Sequence, residues 1–122
     1  MAPRRRLGAA TLDSIGAGVG VLTLIGEFHH RETRDLVRRL GEALDGSYDH
    51  LVVDMRGVKV FGALGLRTLV KASLRAHERG IGFALVRPEK EVWRPFEITF
   101  LDQQLVNGAT VEEALAALTQ AD

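Results

Sequence analysis

The side chains best suited to chemistry gather in one short stretch of the sequence, around two adjacent histidines. His29 and His30 follow an apolar run, and Glu27 and Glu32 flank them. Imidazole and carboxylate groups this close in sequence could bind a metal ion or form a contact that depends on pH. The spacing matches no strong metal-binding pattern, however, and adjacent residues seldom point in the same direction. We therefore favour a solvated loop that caps the start of a helix.

The rest of the sequence lacks the residue combinations of common enzymes. There is no cysteine, which excludes disulfides, thiolate metal sites and thiol nucleophiles. No Ser/His/Asp set, Walker-type loop or pair of catalytic carboxylates is apparent. Asp54 ends an apolar run, so we interpret it as a carboxylate that fixes the following turn. We predict a protein that is not an enzyme and that binds neither a cofactor nor a metal.

Length and charge restrict the class of protein further. A chain of 122 residues is long enough for one domain with a real core. Sixteen basic residues balance sixteen acidic ones, which argues against general nucleic-acid binding. No apolar run approaches the roughly 20 residues of a membrane span, so we expect no membrane insertion and a cytoplasmic location. We predict a flexible basic arm over residues 1–9 and a single domain over residues 10–122.

The elements that must position these side chains follow from apolar periodicity. It predicts strands at 11–15, 19–25, 50–55 with an extension over 58–61, 81–86 and 103–108. Helices are predicted at 32–46, at 63–79, from Pro88 through Trp93 with Pro95 ending or kinking it, and at 111–118 after a Thr110–Glu113 capping box. This alternation predicts an α/β fold whose sheet is mixed and mostly parallel, with an antiparallel first strand.

Two sets of residues are predicted to pack inside this domain. On the helix at 63–79, the predicted inner stripe contains Leu66, Leu69, Val70, Ser73, Leu74 and His77. Trp93, Phe96 and Phe100 recur at three- and four-residue spacing, which favours core packing. Trp is also a frequent interface anchor, so Trp93 stays a candidate for partner contact.

The junction between the third strand and the second helix reads "VFGALGL", residues 60–66. Many α/β proteins keep their functional groups at such a junction. Here it contains no nucleophile, acid, base or hydroxyl. The location is that of a functional site, but the residues in it cannot react.

Several stretches, taken in order, resemble one family. They are "GEF", "HLVVDMRGV", "FGALGL", "RPEKEVWRPFEITFLDQQL" and "TVEEALAAL", and together they extend over about residues 10 to 119. The sequence resembles the STAS domain, which is found in sulfate transporters and anti-sigma factor antagonists. The resemblance implies a single STAS-like domain, a right-handed βα superhelix with a mixed sheet.

The resemblance also gives the "FGALGL" loop a meaning. In bacterial antagonists of the family, the second Ser of an Asp-Ser-Ser-Gly motif is phosphorylated by a partner anti-sigma kinase. In this sequence the Asp falls on Gly62, the first Ser on Ala63 and the phosphorylated Ser on Leu64, while Gly65 is kept. A second loop Asp of the family falls on His29. The resemblance therefore implies a member without the phosphorylation switch.

From this resemblance we expect a partner-binding face, occupied by a kinase-like anti-sigma factor or a related regulatory protein. Leu64 is either an exposed apolar contact for that partner or a residue packed under a neighbouring loop. Arg67 either holds an acidic group or is a solvated helix residue, and the latter is favoured. The predicted partner-binding residues are His29, His30, Arg31, Gly62, Ala63, Leu64, Gly65, Arg67 and Trp93.

Two other functions stay open. The loop could have become an apolar pocket floored by Gly62 and Ala63, in a domain that senses a nucleotide, lipid or metabolite. By resemblance, the chain could also be an accessory subunit of a phospholipid-transport ABC complex. The sequence leaves a homodimer open as well.

Overall fold

The computed structural model describes residues 6–120. After an initial pair of strands, helices and strands alternate, except that two helices follow the fourth strand. The strands are β1 (Ala9–Ser14), β2 (Val19–Phe28), β3 (His50–Phe61), β4 (Gly82–Val86) and β5 (Val106–Gly108). The helices are α1 (His30–Asp45), α2 (Ala63–Glu78), α3 (Lys90–Ile98), α4 (Leu101–Gln104) and α5 (Val111–Gln120).

The strands form one sheet in the order β1-β2-β3-β4-β5. β1 is antiparallel to β2, and each later neighbour is parallel. This arrangement confirms the predicted fold class, a single α/β domain with a mixed, mostly parallel sheet. Because β2 to β5 are parallel, the loops that follow them lie at one edge of the sheet, which we call the carboxyl edge.

The main core lies between the sheet and helices α1, α2 and α3. Its fully buried side chains include Leu22, Leu24, Leu36, Leu51, Met55, Leu69, Leu85 and Phe96. The opposite face of the sheet has a smaller cluster, in which Ala114 of α5 packs against Val52, Ala84 and Val86. The larger core therefore supports α1 and α2, the two helices that begin at the carboxyl edge beside each other.

β3 is continuous, where the sequence predicted a strand at 50–55, a turn after Asp54 and an extension over 58–61. The pairing with β2 shifts register between Thr23 and Ile25, which places a bulge at this point. The Asp54 carboxylate accepts hydrogen bonds from the Arg56 backbone N–H at 3.1 Å and from its guanidinium at 3.0 and 2.7 Å. Asp54 thus fixes a bulge inside the strand, so the predicted strand end was wrong.

The segment after β4 also differs from its prediction. α3 continues through Pro95 to Ile98, so the proline does not end the helix although it removes a backbone donor from it. Thr99 then closes the helix, and its hydroxyl donates to the Pro95 carbonyl at 2.7 Å. The additional helix α4 takes up Gln103 and Gln104, so β5 begins only at Val106.

Some residues predicted to be internal are on the surface. α2 turns a stripe of mostly small residues inward, and its buried members are Gly65, Leu66, Thr68, Leu69, Ala72 and Ala76. Leu74 and His77 are exposed on the other side of the helix. Phe100 is 63% exposed and has a positive φ of 61°, so it is not part of the predicted aromatic core.

The described end of the predicted N-terminal arm contacts the sheet. The Glu27 N–H donates to the Arg6 carbonyl at 2.9 Å, and the Gly8 N–H donates to the Glu27 carbonyl at 2.8 Å. Residues 1–5 of the predicted arm lie outside the described part of the chain. The domain boundary at residue 10 stays a prediction.

Candidate functional site

The loops after β2 and β3 lie side by side at the carboxyl edge. Phe28 and Phe61 are register partners at the ends of these strands, and their buried rings meet edge to face at 5.9 Å. This pair brings the histidine loop beside the "FGALGL" loop. Between them is a cavity of about 420 Å³, the loop hollow, lined by Phe28, His29, His30, Thr33, Val60, Gly62, Ala63, Leu64 and Gly65.

His29 caps the beginning of α1. Its backbone N–H donates to the Glu32 carboxylate at 3.0 Å, and its imidazole Nε2 lies 2.9 Å from Glu27 Oε1. His30 and Arg31 follow in the first turn and are exposed. Within residues 6–120, no group of three His, Asp or Glu side chains is arranged to hold a metal ion. The loop has the helix-capping geometry that we favoured.

The second loop exposes backbone and apolar side chains. Gly62 is the N-cap of α2 and contributes no side-chain cap. Ala63 is exposed and Leu64 is 39% exposed, whereas Gly65 is buried. Leu64 is therefore an apolar residue open to solvent at the first turn of α2. Leu64 is thus not packed under a neighbouring loop.

The family resemblance assigns a phosphorylated serine to the position of Leu64, and no residue lining the loop hollow offers an exposed hydroxyl in its place. Thr33 lines the loop hollow but is only 2% exposed. Thr68 is 8% exposed, and its hydroxyl donates to the Leu64 carbonyl at 2.7 Å. Ser47 is exposed but lies between α1 and β3, at the opposite edge of the sheet. The residues that line the loop hollow thus offer no exposed hydroxyl.

Trp93 lies in the core behind these loops. It is 7% exposed, and its ring stacks on Phe96 with centroids 4.5 Å apart. Phe96 in turn stacks on Phe61 at 6.3 Å, beneath the end of β3. The structure brings the other predicted partner-binding residues to the two loops or to the exposed face of α2, and it does not bring Trp93 to that surface.

A second cavity, which the sequence analysis did not anticipate, runs between α1 and α2. This interhelix groove has a volume of about 320 Å³ and is lined by Val37, Leu40, Gly41, Leu44, Leu64, Arg67, Thr68, Lys71, Ala72 and Arg75. Leu64 belongs to both the loop hollow and the groove. A signal for the groove was present in the four-residue spacing of Arg67, Lys71 and Arg75, which places them along one side of α2.

A comparison with family models assigns the chain to a protein family. The model described as "Mlab, STAS domain" matches residues 12–107, which is most of the sequence. The chain therefore belongs to the STAS domain family, as its motifs indicated. No curated protein matches it by sequence at a significant level.

Solved structures agree with the assignment. The chain is similar to an anti-sigma factor antagonist from Mycobacterium paratuberculosis, with 25% identity, a TM-score of 0.79, and coverage of 92% of this chain and 94% of that one. It also resembles the anti-sigma factor antagonist SpoIIAA in its unphosphorylated form, with 16% identity, a TM-score of 0.76, and coverage of 93% and 99%. A sulfate transporter family protein from Wolinella succinogenes shares the fold at 19% identity, with a TM-score of 0.67 and coverage of 88% and 90%.

None of the helices formed by residues 6–120 has both the length and the apolar character that crossing a membrane requires. The candidate surface lies at the carboxyl edge and is formed by the two loops, the exposed side chain of Leu64 and the groove beside it.

Proposed function

We propose that this STAS domain is a non-enzymatic module that binds a regulatory protein in the cytoplasm, in the manner of an anti-sigma factor antagonist. The docking face consists of the loop hollow and the exposed first turn of α2. The observation that carries the proposal is Leu64, an apolar residue 39% exposed where the family resemblance expects a phosphorylated serine. The similarity to an anti-sigma factor antagonist at 25% identity supports the same role.

On this proposal the docking face is always competent. A phosphate adds about −1.5 to −2 charges, and at this position it would disrupt an apolar contact. Leu64 cannot accept a phosphate, and the hydroxyls of Thr33 and Thr68 are buried. Binding would then depend on how much of each protein is present. The kinase-like anti-sigma factor, or a regulator of related shape, is the partner that this surface suits.

A small-molecule sensor is a second candidate, because the loop hollow offers about 420 Å³ beside Gly62 and Ala63. A thermal-shift screen with nucleotides, lipids and metabolites separates it from the first proposal. A ligand that binds only the folded protein raises stability by RT ln(1 + [L]/Kd). A dose-dependent shift that Ala63→Arg abolishes would favour the sensor.

The deciding experiment is a quantitative pull-down from cells of the source organism. The bait is the wild-type chain, Ala63→Arg in the docking face, or Ser47→Arg as a matched control at the opposite edge. Both substituted residues are exposed, so both variants should fold. We expect an anti-sigma factor or kinase-like protein to be retained by wild type and Ser47→Arg and lost with Ala63→Arg.

Two outcomes of the same experiment would contradict the proposed function. Retention of a transporter ATPase in place of a sigma regulator would favour the phospholipid-transport subunit. Equal retention of every protein by all three baits would show that the carboxyl edge is not the docking face.

A further inference from the structure

The interhelix groove carries a row of positive charge along one wall. Arg67, Lys71 and Arg75 stand four residues apart on α2, and all three are exposed. At a rise of about 1.5 Å per residue, neighbouring members are spaced by about 6 Å along the helix. The row follows the groove from its end near Leu64 toward the far end of α2.

Little in the surrounding structure neutralises this row. The residues lining the groove include three cations and no acid. In the described part of the chain, Arg67 and Lys71 form no ion pair, and Arg75 shares Asp45 with Arg79 at 2.8 and 2.7 Å. On α1, Asp35 pairs instead with Arg38 and Arg39, outside the lining. The chain as a whole has no net charge, so this wall is a local excess.

Apolar residues lie directly beside the cationic row. Leu64, Thr68 and Ala72 repeat at the same four-residue spacing along α2. Leu40 and Leu44 are 2% exposed and form the floor, while Val37 on α1 is 53% exposed at the rim. Gly41 has no side chain, so α1 adds no bulk to the groove wall at this position. A Cβ built there would lie 3.5 Å from Arg75 Nη1, an ordinary van der Waals distance. The groove is therefore apolar at its base and cationic along one side.

We infer that the interhelix groove binds an acidic amphipathic helix of a partner protein. Such a helix would lay its apolar stripe on Leu64, Val37 and the groove floor. Carboxylates repeated every four residues on its flank would match the spacing of Arg67, Lys71 and Arg75. This inference deepens the proposed function, on which it rests, since it specifies what part of the regulatory partner is held beside the docking face.

The charge pattern favours a helix over a small anionic amphiphile. Arg75 is already paired with Asp45, so a fatty acid with its single carboxylate would leave one of the two unpaired cations, Arg67 or Lys71, without a counter-charge. A helical partner supplies several carboxylates on one rigid element at the same pitch as the row. Its binding should also weaken with salt, because these cations are exposed and therefore screened.

The test uses the full chain and a defined probe. The probe is a fluorescently labelled, lactam-stapled helix that carries glutamates at every fourth position beside a leucine stripe. A second peptide has lysines in place of the glutamates, and laurate serves as the small-amphiphile probe. The variant Arg67→Glu/Lys71→Glu reverses the row. Its matched control is Lys90→Glu/Arg94→Glu, an exposed pair on α3 with the same spacing and the same charge change.

We expect the acidic helix to bind wild type and the α3 control with Kd values within about twofold of each other. Reversing the row should weaken binding by at least about tenfold, the effect of losing one or two charged contacts. Amide chemical shifts should move on α1 and α2, and the lysine peptide should not bind. Circular dichroism and a thermal melt check that the reversed variant is folded.

Other results of these experiments would contradict the groove inference or the proposed function. No binding of the acidic helix to wild type at about 1 mM, or equal binding by both double variants, would overturn the inference. Saturable laurate binding in the groove without peptide binding would assign it to a small amphiphile instead. If the pull-down recovers a regulator while the peptide fails, the groove inference alone is wrong. If the peptide binds and no regulator is recovered, the proposed function is the part that fails.

Discussion

The ring of Phe61 occupies the space that a side chain on Gly65 would need. A Cβ built on Gly65 would lie 2.6 Å from Phe61 Cε2 and 2.7 Å from Cζ. Phe61 is itself held between Phe28 and Phe96. The first turn of α2 can therefore pack this closely on the end of β3 only because residue 65 is glycine. This contact sets the position of Leu64 and so of the proposed docking face.

Gly65→Ala should destabilise the protein by about 1–3 kcal/mol, the usual cost of overpacking a rigid core. Gly41→Ala is the control, because it also adds a methyl group to a helical glycine but has room for it. Removing a glycine from a helix interior stabilises by about 0.5–1 kcal/mol. Urea unfolding of both variants measures the difference. A Gly65→Ala variant as stable as wild type would contradict the account of this junction.

Restoring the family's acceptor should restore phosphorylation. Gly62→Asp/Leu64→Ser returns a carboxylate and a hydroxyl to positions that are exposed. We expect the anti-sigma kinase of the source organism to phosphorylate the variant at residue 64 and to leave wild type unmodified. Mass spectrometry after incubation with ATP measures this, with Leu64→Ala as the control. Efficient phosphorylation of wild type would refute the proposed loss of the switch.

Asp54 should make stability depend on pH in the acid range. Burial opposes its ionisation, but the hydrogen bonds and charge of Arg56 outweigh burial and hold the pKa of Asp54 below its usual value. The ionised form therefore stabilises the fold above about pH 4, and this contribution is lost as pH falls through the lowered pKa. Asp54→Asn should cost about 1.5–3 kcal/mol at pH 7. The deficit should shrink in more acidic solution, and denaturant titrations across pH check this. A deficit that does not change with pH would contradict the role given to the charge.

Phe100 adopts a left-handed backbone conformation with an exposed ring, which costs stability without much burial in return. Phe100→Gly should raise stability by about 1 kcal/mol, because glycine accepts a positive φ freely. Ile98→Gly is the matched control, since Ile98 is equally exposed but ends a regular helix. That control should lose up to about 1 kcal/mol. Destabilisation of both variants to the same extent would argue that the Phe100 ring has a partner.

Substitutions of Trp93 test whether this residue packs in the core or contacts a partner. Trp93→Ala should cost about 3–5 kcal/mol in urea unfolding, as expected for a buried aromatic residue. Trp93→Phe retains an apolar ring and should bind any recovered partner as wild type does. Reduced partner binding by a well-folded Trp93→Phe variant would restore Trp93 to the docking face.

Much of the fold could be predicted from the periodicity of apolar residues and from the residues that mark the ends of helices and strands. The alternation of β-branched runs with amphipathic helices predicted every major element, and Thr110 and Glu113 marked the start of α5. The errors arose where tertiary contacts override local signals. Asp54 stabilises a bulge where the sequence suggested a turn. Pro95 lies in a helix held by the buried ring of Phe96, so it did not end the helix.

The candidate site was predictable in its location and less so in its extent. The two loops had to meet, because they follow adjacent parallel strands. Which residues are exposed depended on packing between α1 and α2 that one sequence does not reveal. Val37 is one of the apolar residues within the helix predicted at 32–46, yet it is 53% exposed at the rim of the groove. α2 packs on the core through small residues such as Ala72 and Ala76, and this orientation leaves Leu74 and His77 facing solvent.

Leu64 forms part of the wall of both the loop hollow and the interhelix groove. Two molecules bound at these places would touch the same side chain, so their binding free energies are not independent. Thermodynamic linkage then requires the effect to be mutual: whatever factor an occupant of the hollow imposes on affinity in the groove, the groove's occupant imposes in return. If Leu64 has replaced the phosphorylation switch as proposed, the domain would in this way still have a means of being regulated, through competition or cooperation at one leucine.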